Sequence, residues 1–255
     1  MSPLVDHPSV GFRFLPGIDP YSAGVVAVPG NEIVHVTLAK ALPWHAGLGA
    51  ARRYLESLEL RQQTLCGVEL RCPAPHSLGG FSDFNREYRQ LLEEWGMLVT
   101  DQNPVARTNV APVNSPPDET MLHAFSYVEP SENSPLTFVV AGGGELPHRE
   151  LERQHIVRVG ETSSDAIQEK AECVLRIMQH RLDKLGGDNN SLTAIDVYTA
   201  HPLHPVLENV VLSQLEAAKR LGVHWYYSRP PIKEIEFEMD MRGVRRELTI
   251  ELVHS

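Results

Sequence analysis

The two halves of this chain carry the same succession of apolar patterns. In the first half, strand-like runs at Val10–Leu15 and Val25–Leu38 precede a helix with Leu48, Ala51, Leu55 and Leu58 on one face. A strand through Leu65, Val68 and Leu70 comes next. A second helix follows, in which Phe81, Phe84, Tyr88, Leu91, Leu92 and Trp95 recur at three-and-four spacing. Two further strands, Val105–Val113 and Thr120–Val128, flank the turn-forming run Asn114–Asp118. After the polar, proline-bounded stretch Glu129–Pro135, the order begins again. Leu136–Ala141 and Ile156–Val159 read as strands, and Ile167, Ala171, Val174, Met178, Leu182 and Leu185 mark a long helix whose start carries Asp165 and Gln168. Leu192–Tyr198 leads into a helix with Leu207, Val210, Val211, Leu215 and Ala218 on one side. Ile235, Phe237, Met239 and Met241 then alternate with charged residues, as do Leu248, Ile250 and Leu252 after Arg242-Gly243.

Each half thus reads β-β-α-β-α-β-β over about 125 residues, one supersecondary unit used twice. The division falls at residues 1–130 and 131–255. Pro29-Gly30-Asn31 predicts a hairpin within the second strand run, and Arg242-Gly243 predicts another between the last two strands. Alternation in the final strands implies one buried sheet face and one that is wet or shared. Helices gathered on one face of each mixed sheet make this an α+β arrangement. The competing architecture is one continuous α/β domain.

Composition narrows the partners. With 33 acidic and 23 basic residues among 255, the formal net charge is -10, which disfavours binding nucleic acid through a broad basic surface. A local basic pocket for a small anion remains compatible with it. The amino terminus shows no pattern of a secretory signal, and no run approaches the roughly 20 apolar residues of a membrane span. Cys66, Cys72 and Cys173 form no CxxC pair, and Cys66 and Cys72 fall on one strand, so reduced thiols in a cytoplasm are expected.

Several chemistries lack their motifs. Gly142-Gly143-Gly144 follows a strand but has neither GxxxxGK[ST] nor GxGxxG spacing. Glycine-exposed backbone amides there would still suit a carboxylate or an oxyanion. Among 12 histidines there is no HExxH, and His201 and His204 flank prolines in a loop, so no metal is expected. The cysteines read as packing residues, and no GxSxG elbow occurs.

Asp19-Pro20-Tyr21-Ser22, ahead of Gly30-Asn31-Glu32-Ile33-Val34, resembles the "GPYS…GN" opening of RidA/YjgF-type proteins. Phe84-Asn85-Arg86-Glu87-Tyr88 resembles that family's helix, and Pro104-Val105-Ala106-Arg107-Thr108 its "P-A-R-T" strand with one extra residue. Phe138–Gly143 is similar to its strand ending in Ser-Gly, and Gln168 and Asn209 fall at its helix glutamine and asparagine. The resemblance spans nearly the whole chain in two copies. It implies two tandem RidA/YjgF-like, chorismate-mutase-like domains, each a six-stranded sheet with two helices on one face. It also implies a homo-oligomer, a trimer with clefts between adjacent domains. The activity implied is hydrolysis of an enamine or imine of an amino acid, without metal or organic cofactor. A branch acting on longer substrates, the 2-aminomuconate deaminases of aromatic-compound degradation, fits the tandem form. The alternatives are a non-catalytic metabolite-binding member and a chorismatase-like hydrolase or lyase.

Arg107 is the leading site candidate, because a guanidinium matches a carboxylate in two parallel hydrogen bonds. The second copy has no clean equivalent, offering only Ser228-Arg229-Pro230 or Pro231-Ile232-Lys233. The first copy has Val36-Thr37 where the second has Ala141-Gly142. Each copy being incomplete, the expected working cleft lies between unlike halves. Arg107 and Tyr21 come from one, and Gly142, Gly143 and Glu247 from the other. Glu247, with Glu251 as its neighbour alternative, stands near the family's later glutamate and is the expected acid or base on water. Asn85 and Thr108 complete the substrate-binding set.

Overall fold

In a computed structural model the described residues are 3–7, 10–133, 136–147 and 151–252. The predicted linker's Ser134 and Pro135 lie outside them. Strands gather into two sheets. The seven-stranded sheet runs β1 (Val5–His7), β2 (Phe12–Leu15), β3 (Gly24–Ala27), β8 (Phe138–Gly144), β12 (Glu238–Gly243), β9 (Ala194–Tyr198), β10 (His224–Tyr226). The six-stranded sheet runs β11 (Ser228–Arg229), β6 (Ala106–Pro112), β5 (Leu65–Arg71), β7 (Met121–Pro130), β4 (Asn31–Pro43), β13 (Arg246–Ile250).

The sheets cross the 130/131 division. β3, from the first half, pairs antiparallel with β8 of the second, placing Val26 opposite Phe138. β13, from the end of the chain, pairs parallel with β4, placing Leu248 opposite Val36. Neither predicted hairpin therefore forms. Gly30 takes a left-handed φ of 85°, but the turn there carries the chain from one sheet to the other. The chain also changes sheets just after Gly243, between β12 and β13. A Cβ on Gly243 would lie 2.4 Å from the Ser191 carbonyl oxygen, so only glycine lets the strand leave at that point. Alternation records which face of a strand is apolar, and both sheets offered a partner for that face.

Helices cover the two outer faces. α1 (Trp44–Ser57) and α2 (Leu78–Glu94) pack Leu48, Leu55, Tyr88 and Leu92 onto Val34, Val68 and Phe125 of the six-stranded sheet. Ser77 caps α2, accepting a hydrogen bond from the Gly80 amide at 3.1 Å. α3 (Ser164–Lys184) packs Val174, Met178 and Leu182 onto Val140, Val197 and Met239 of the seven-stranded sheet. Beside it, the helix expected around Leu207–Ala218 is broken. A π-type turn at Leu207–Val211 inserts an extra residue, and Leu215 is extended before the short helix Glu216–Leu221. Val210, Val211, Leu215 and Ala218 are nonetheless buried. The strand expected at Ile156–Val159 is a set of turns after a 3-10 turn at Arg153–His155, with Ile156 packed beside Phe81, Ile232 and Ile235.

The inner faces of the sheets pack on one another through Phe12, Phe14, Val25, Ile33, Ala106 and Val128. A buried polar layer continues this interface. Thr108 on β6 donates to Asp240 on β12 at 2.6 Å, and Tyr198 donates to the same oxygen at 3.0 Å. Asp240 sits near Asp196 and Glu69, and burial with these neighbours holds its carboxyl well above the usual range. The three carboxylates lie within 4.8 Å of one another, but Arg71 pairs with Glu69 and Arg242 pairs with Asp196. That balance identifies the cluster as the polar part of the core. Cys66, Cys72 and Cys173 are free and buried.

Candidate active site

Strand β6 alternates across its sheet. Ala106 and Thr108 face the other sheet, while Arg107 and Asn109 emerge on the helix side beneath α2. There they meet a cleft of about 590 Å³ walled by both halves of the chain. The Asp19–Ser22 segment is docked against the start of β6. Ser22 donates its amide to the Val105 carbonyl at 3.0 Å, and the Asn103 amide side chain holds the Pro20 carbonyl at 2.7 Å. Tyr21 is thereby fixed over Arg107.

Arg107 is only 3% exposed and stands in a box of rings. Its guanidinium carbon lies 4.4 Å from the Tyr21 ring centre, 4.6 Å from Tyr88, 5.4 Å from Phe84 and 5.7 Å from Phe81. Nη2 donates to the Asn85 side-chain oxygen at 2.6 Å. Nη1 has no hydrogen-bond partner among the described residues, nor does either amide atom of Asn109. Burial pulls the Arg107 pKa down, yet a guanidinium stays charged in such surroundings. A buried cation with only neutral hydrogen-bond partners, Asn85 and Tyr21, and no ion pair among the described residues is costly. Such a group is poised for an anion brought from outside.

The opposite wall is built by glycines. A Cβ on Gly142 would lie 2.4 Å from a Glu238 carboxylate oxygen and 3.1 Å from the Thr108 Cα. A Cβ on Gly143 would meet Met178 at 2.9 Å and the Arg181 guanidinium at 3.1 Å. Bare backbone therefore lets Glu238 and Arg181 close against β8. The Gly142 amide is occupied by Thr108 Oγ1 at 3.1 Å, so this glycine contributes space rather than the free amide expected of it. Arg181 donates from Nη1 to the carbonyls of Ala141 at 2.8 Å and Gly142 at 3.1 Å.

Glu238 is the acid that lines the cleft. It is 5% exposed, and burial pushes its carboxyl up to about 8, against the pull of Arg181 and then Arg107. At neutral pH it is mainly a carboxylic acid, able to donate a proton and, once charged, to accept one.

The structure brings Tyr21, Arg107, Gly142 and Gly143 to this cleft, with Asn85 directly behind Arg107. Thr108 points the other way, into the layer between the sheets. Glu247 is elsewhere. β13 leaves the β12 sheet to pair with β4, so Glu247 stands half-exposed and accepts from Arg242 Nε at 2.7 Å. Glu251 is exposed beyond the end of β13. Glu238 takes the place expected of Glu247, and Asn109 adds a group the sequence did not single out. Both are polar residues of strands whose two faces are covered.

Fold and site together define an α+β protein of two packed sheets in which a buried arginine and a buried glutamate line one cleft. The chain belongs to the 2-aminomuconate deaminase CnbZ family, whose model matches residues 4–248. It is similar to a 2-amino-5-chloromuconate deaminase of Comamonas testosteroni, 34% identical over 248 residues that cover 94% of this chain and 96% of the relative. Among solved structures, a chorismatase aligns over 94% of this chain and 78% of its own, with a TM-score of 0.48 and 11% identity. Escherichia coli TdcF with bound serine aligns over 43% of this chain and 80% of its own, with a TM-score of 0.29 and 15% identity. No helix among the described residues is long and apolar enough to cross a membrane.

Proposed function

We propose that this chain is a hydrolytic deaminase of an enamine or imine amino dicarboxylate, 2-aminomuconate or a substituted analogue, in aromatic-compound catabolism. The products are the 2-hydroxy or 2-oxo acid and ammonia. The observation that carries the reading is Arg107, a buried guanidinium with an unused N–H edge, in the same cleft as a neutral buried glutamic acid. Membership in a family of 2-aminomuconate deaminases supports the choice of substrate.

In this mechanism Nη1 of Arg107 and the Asn109 amide hold the carboxylate next to the C–N bond. The enamine tautomerises to the imine, and protonated Glu238 gives its proton to the imine nitrogen. The resulting carboxylate takes a proton from water as its oxygen bonds to the imine carbon. Glu238 then passes that proton to the amine, and as the C–N bond breaks and ammonia leaves, its carboxylate takes the hydroxyl proton, so that the carbonyl forms and the acid is restored. No redox change occurs, and the step as written consumes one water. Positioning by Arg107 and proton transfer by Glu238 each contribute in the way that fixed geometry and a tuned acid do elsewhere.

Arg107→Ala tests the reading. Ammonia release from freshly generated 2-aminomuconate is expected to fall by at least about a hundredfold, with assembly spared. Retained turnover in the variant would refute the assignment. So would absence of ammonia release from the unaltered protein.

A further inference from the structure

The side of the cleft formed by α3 carries a second cationic feature. Cys173, Arg176, Ile177, His180, Arg181 and Lys184 line it, at the three-and-four spacing of a single helix face. Arg181 is turned inward and committed to the carbonyls of β8. Arg176 and Lys184 are not so committed. Eight residues separate them, about 12 Å along the helix, with His180 between. Arg176 reaches Glu172 only at 4.0 Å, both side chains being exposed, an arrangement worth little in water. Neither His180 nor Lys184 forms an ion pair with any described residue.

Elsewhere in this acidic chain, two arginines are each matched by three acids. Arg89 meets Asp19, Glu93 and Asp101, and Arg158 meets Glu161, Asp165 and Glu169. Around the cleft the balance is reversed, since Glu238 is the one acidic lining residue among those described and it is buried and mainly neutral. Lys184 lies in the last turn of α3, where a cation suits the helix dipole. Arg176 is two turns earlier, and the dipole does not account for it. Apolar side chains, among them Tyr21, Leu146, Ile177 and Ile232, supply the rest of the lining. The cleft thus has a deep cation, walls suited to a planar hydrocarbon chain, and a basic rim.

We infer that the Arg176–Lys184 face of α3 is the subsite for the distal carboxylate of a dicarboxylate whose proximal carboxylate is held by Arg107. The inference rests on the proposed function for the placement of the proximal group. It makes the two residues specificity determinants, selecting dianions over monoanions, and leaves the chemical step to Arg107 and Glu238.

Muconate and sorbate serve as probes, being six-carbon dienes with two carboxylates and one. Calorimetric binding to the full chain is expected to favour muconate by about tenfold or more at low salt, with the preference shrinking as salt rises. An Arg176→Gln/Lys184→Gln double variant is expected to bring muconate to near parity with sorbate while sorbate binding stays unchanged. Arg86→Gln, at a comparably exposed arginine on α2, is expected to leave the preference intact. The inference is overturned if the double variant keeps the original preference, if it loses both ligands equally, or if the unaltered protein does not prefer muconate. Failure of the deaminase reading is a separate result. It appears as no ammonia from 2-aminomuconate while the α3-dependent preference for muconate persists.

Discussion

Replacing Glu238 by glutamine removes a titrating carboxyl and keeps its shape. In the folded protein this carboxyl holds its proton up to about pH 8, whereas its ordinary value is 4.5. By linkage, a carboxyl with a raised folded pKa lets the unfolded chain lose its proton first. Stability therefore declines as pH climbs from 4.5 toward 8 and is level beyond that. Each tenfold change in proton affinity is about 1.4 kcal/mol, so the decline from this one group is on the order of several kcal/mol. The amide that replaces the carboxyl in Glu238→Gln does not titrate. The variant is therefore expected to match the unaltered protein in stability near pH 5 and exceed it by a few kcal/mol near pH 8.5. Urea unfolding at several pH values measures this difference directly. The same variant is expected to lose about 100- to 10,000-fold in turnover, the usual contribution of a positioned acid. The unaltered enzyme's rate is expected to fall above about pH 8, where the acid is lost. A stability difference that does not change between pH 5 and pH 8.5 would show that Glu238 titrates as an ordinary surface acid, and the reasoning would fail.

Other substitutions probe neighbouring parts of the account. Gly142→Ala places a methyl against Glu238 and the Thr108 backbone, so about 1–3 kcal/mol of stability and most of the turnover are expected to be lost, as read by denaturant midpoint and ammonia release. Lys170→Met strands Glu145, which accepts from Lys170 Nζ at 3.0 Å with both side chains buried; a loss of about 3–5 kcal/mol is expected in urea unfolding. Asn85→Ala releases Nη2 of Arg107, and a higher KM for 2-aminomuconate is expected, along with a stability loss of about 1–3 kcal/mol. Glu247→Gln leaves the cleft untouched, so kcat and KM are expected to stay within about twofold and stability within about 1 kcal/mol.

Much of the local structure is legible in the sequence. The stripes of α1, α2 and α3 announce their buried faces directly, because a helix satisfies its own backbone and needs only one apolar side. Strand partners are not legible. Phe237, Met239 and Met241 mark the face of β12 and its lead-in turned toward α3, and the alternating Glu236, Glu238, Asp240 and Arg242 then read as solvent-facing charges. They are covered because a second sheet packs on that face, a fact that no local pattern encodes. Glu238 escapes a sequence reading for this reason, and the expectation for Glu247 assumes that β12 and β13 pair. Arg107 and Tyr21 are legible through their motifs, and Gly142 and Gly143 through a strand ending in glycines. Asn109 is not, since an asparagine inside a strand becomes conspicuous only when its amide is found buried without a partner.

The mechanism turns on the unused edge of Arg107 gripping the carboxylate beside the reacting carbon. A crystal structure with muconate bound tests it most directly. Its carboxylate oxygens are expected about 2.7–3.1 Å from Nη1 of Arg107, with the Asn109 amide as a second donor. Muconate lodged elsewhere, or held in the cleft with Nη1 still without a partner, would contradict the account.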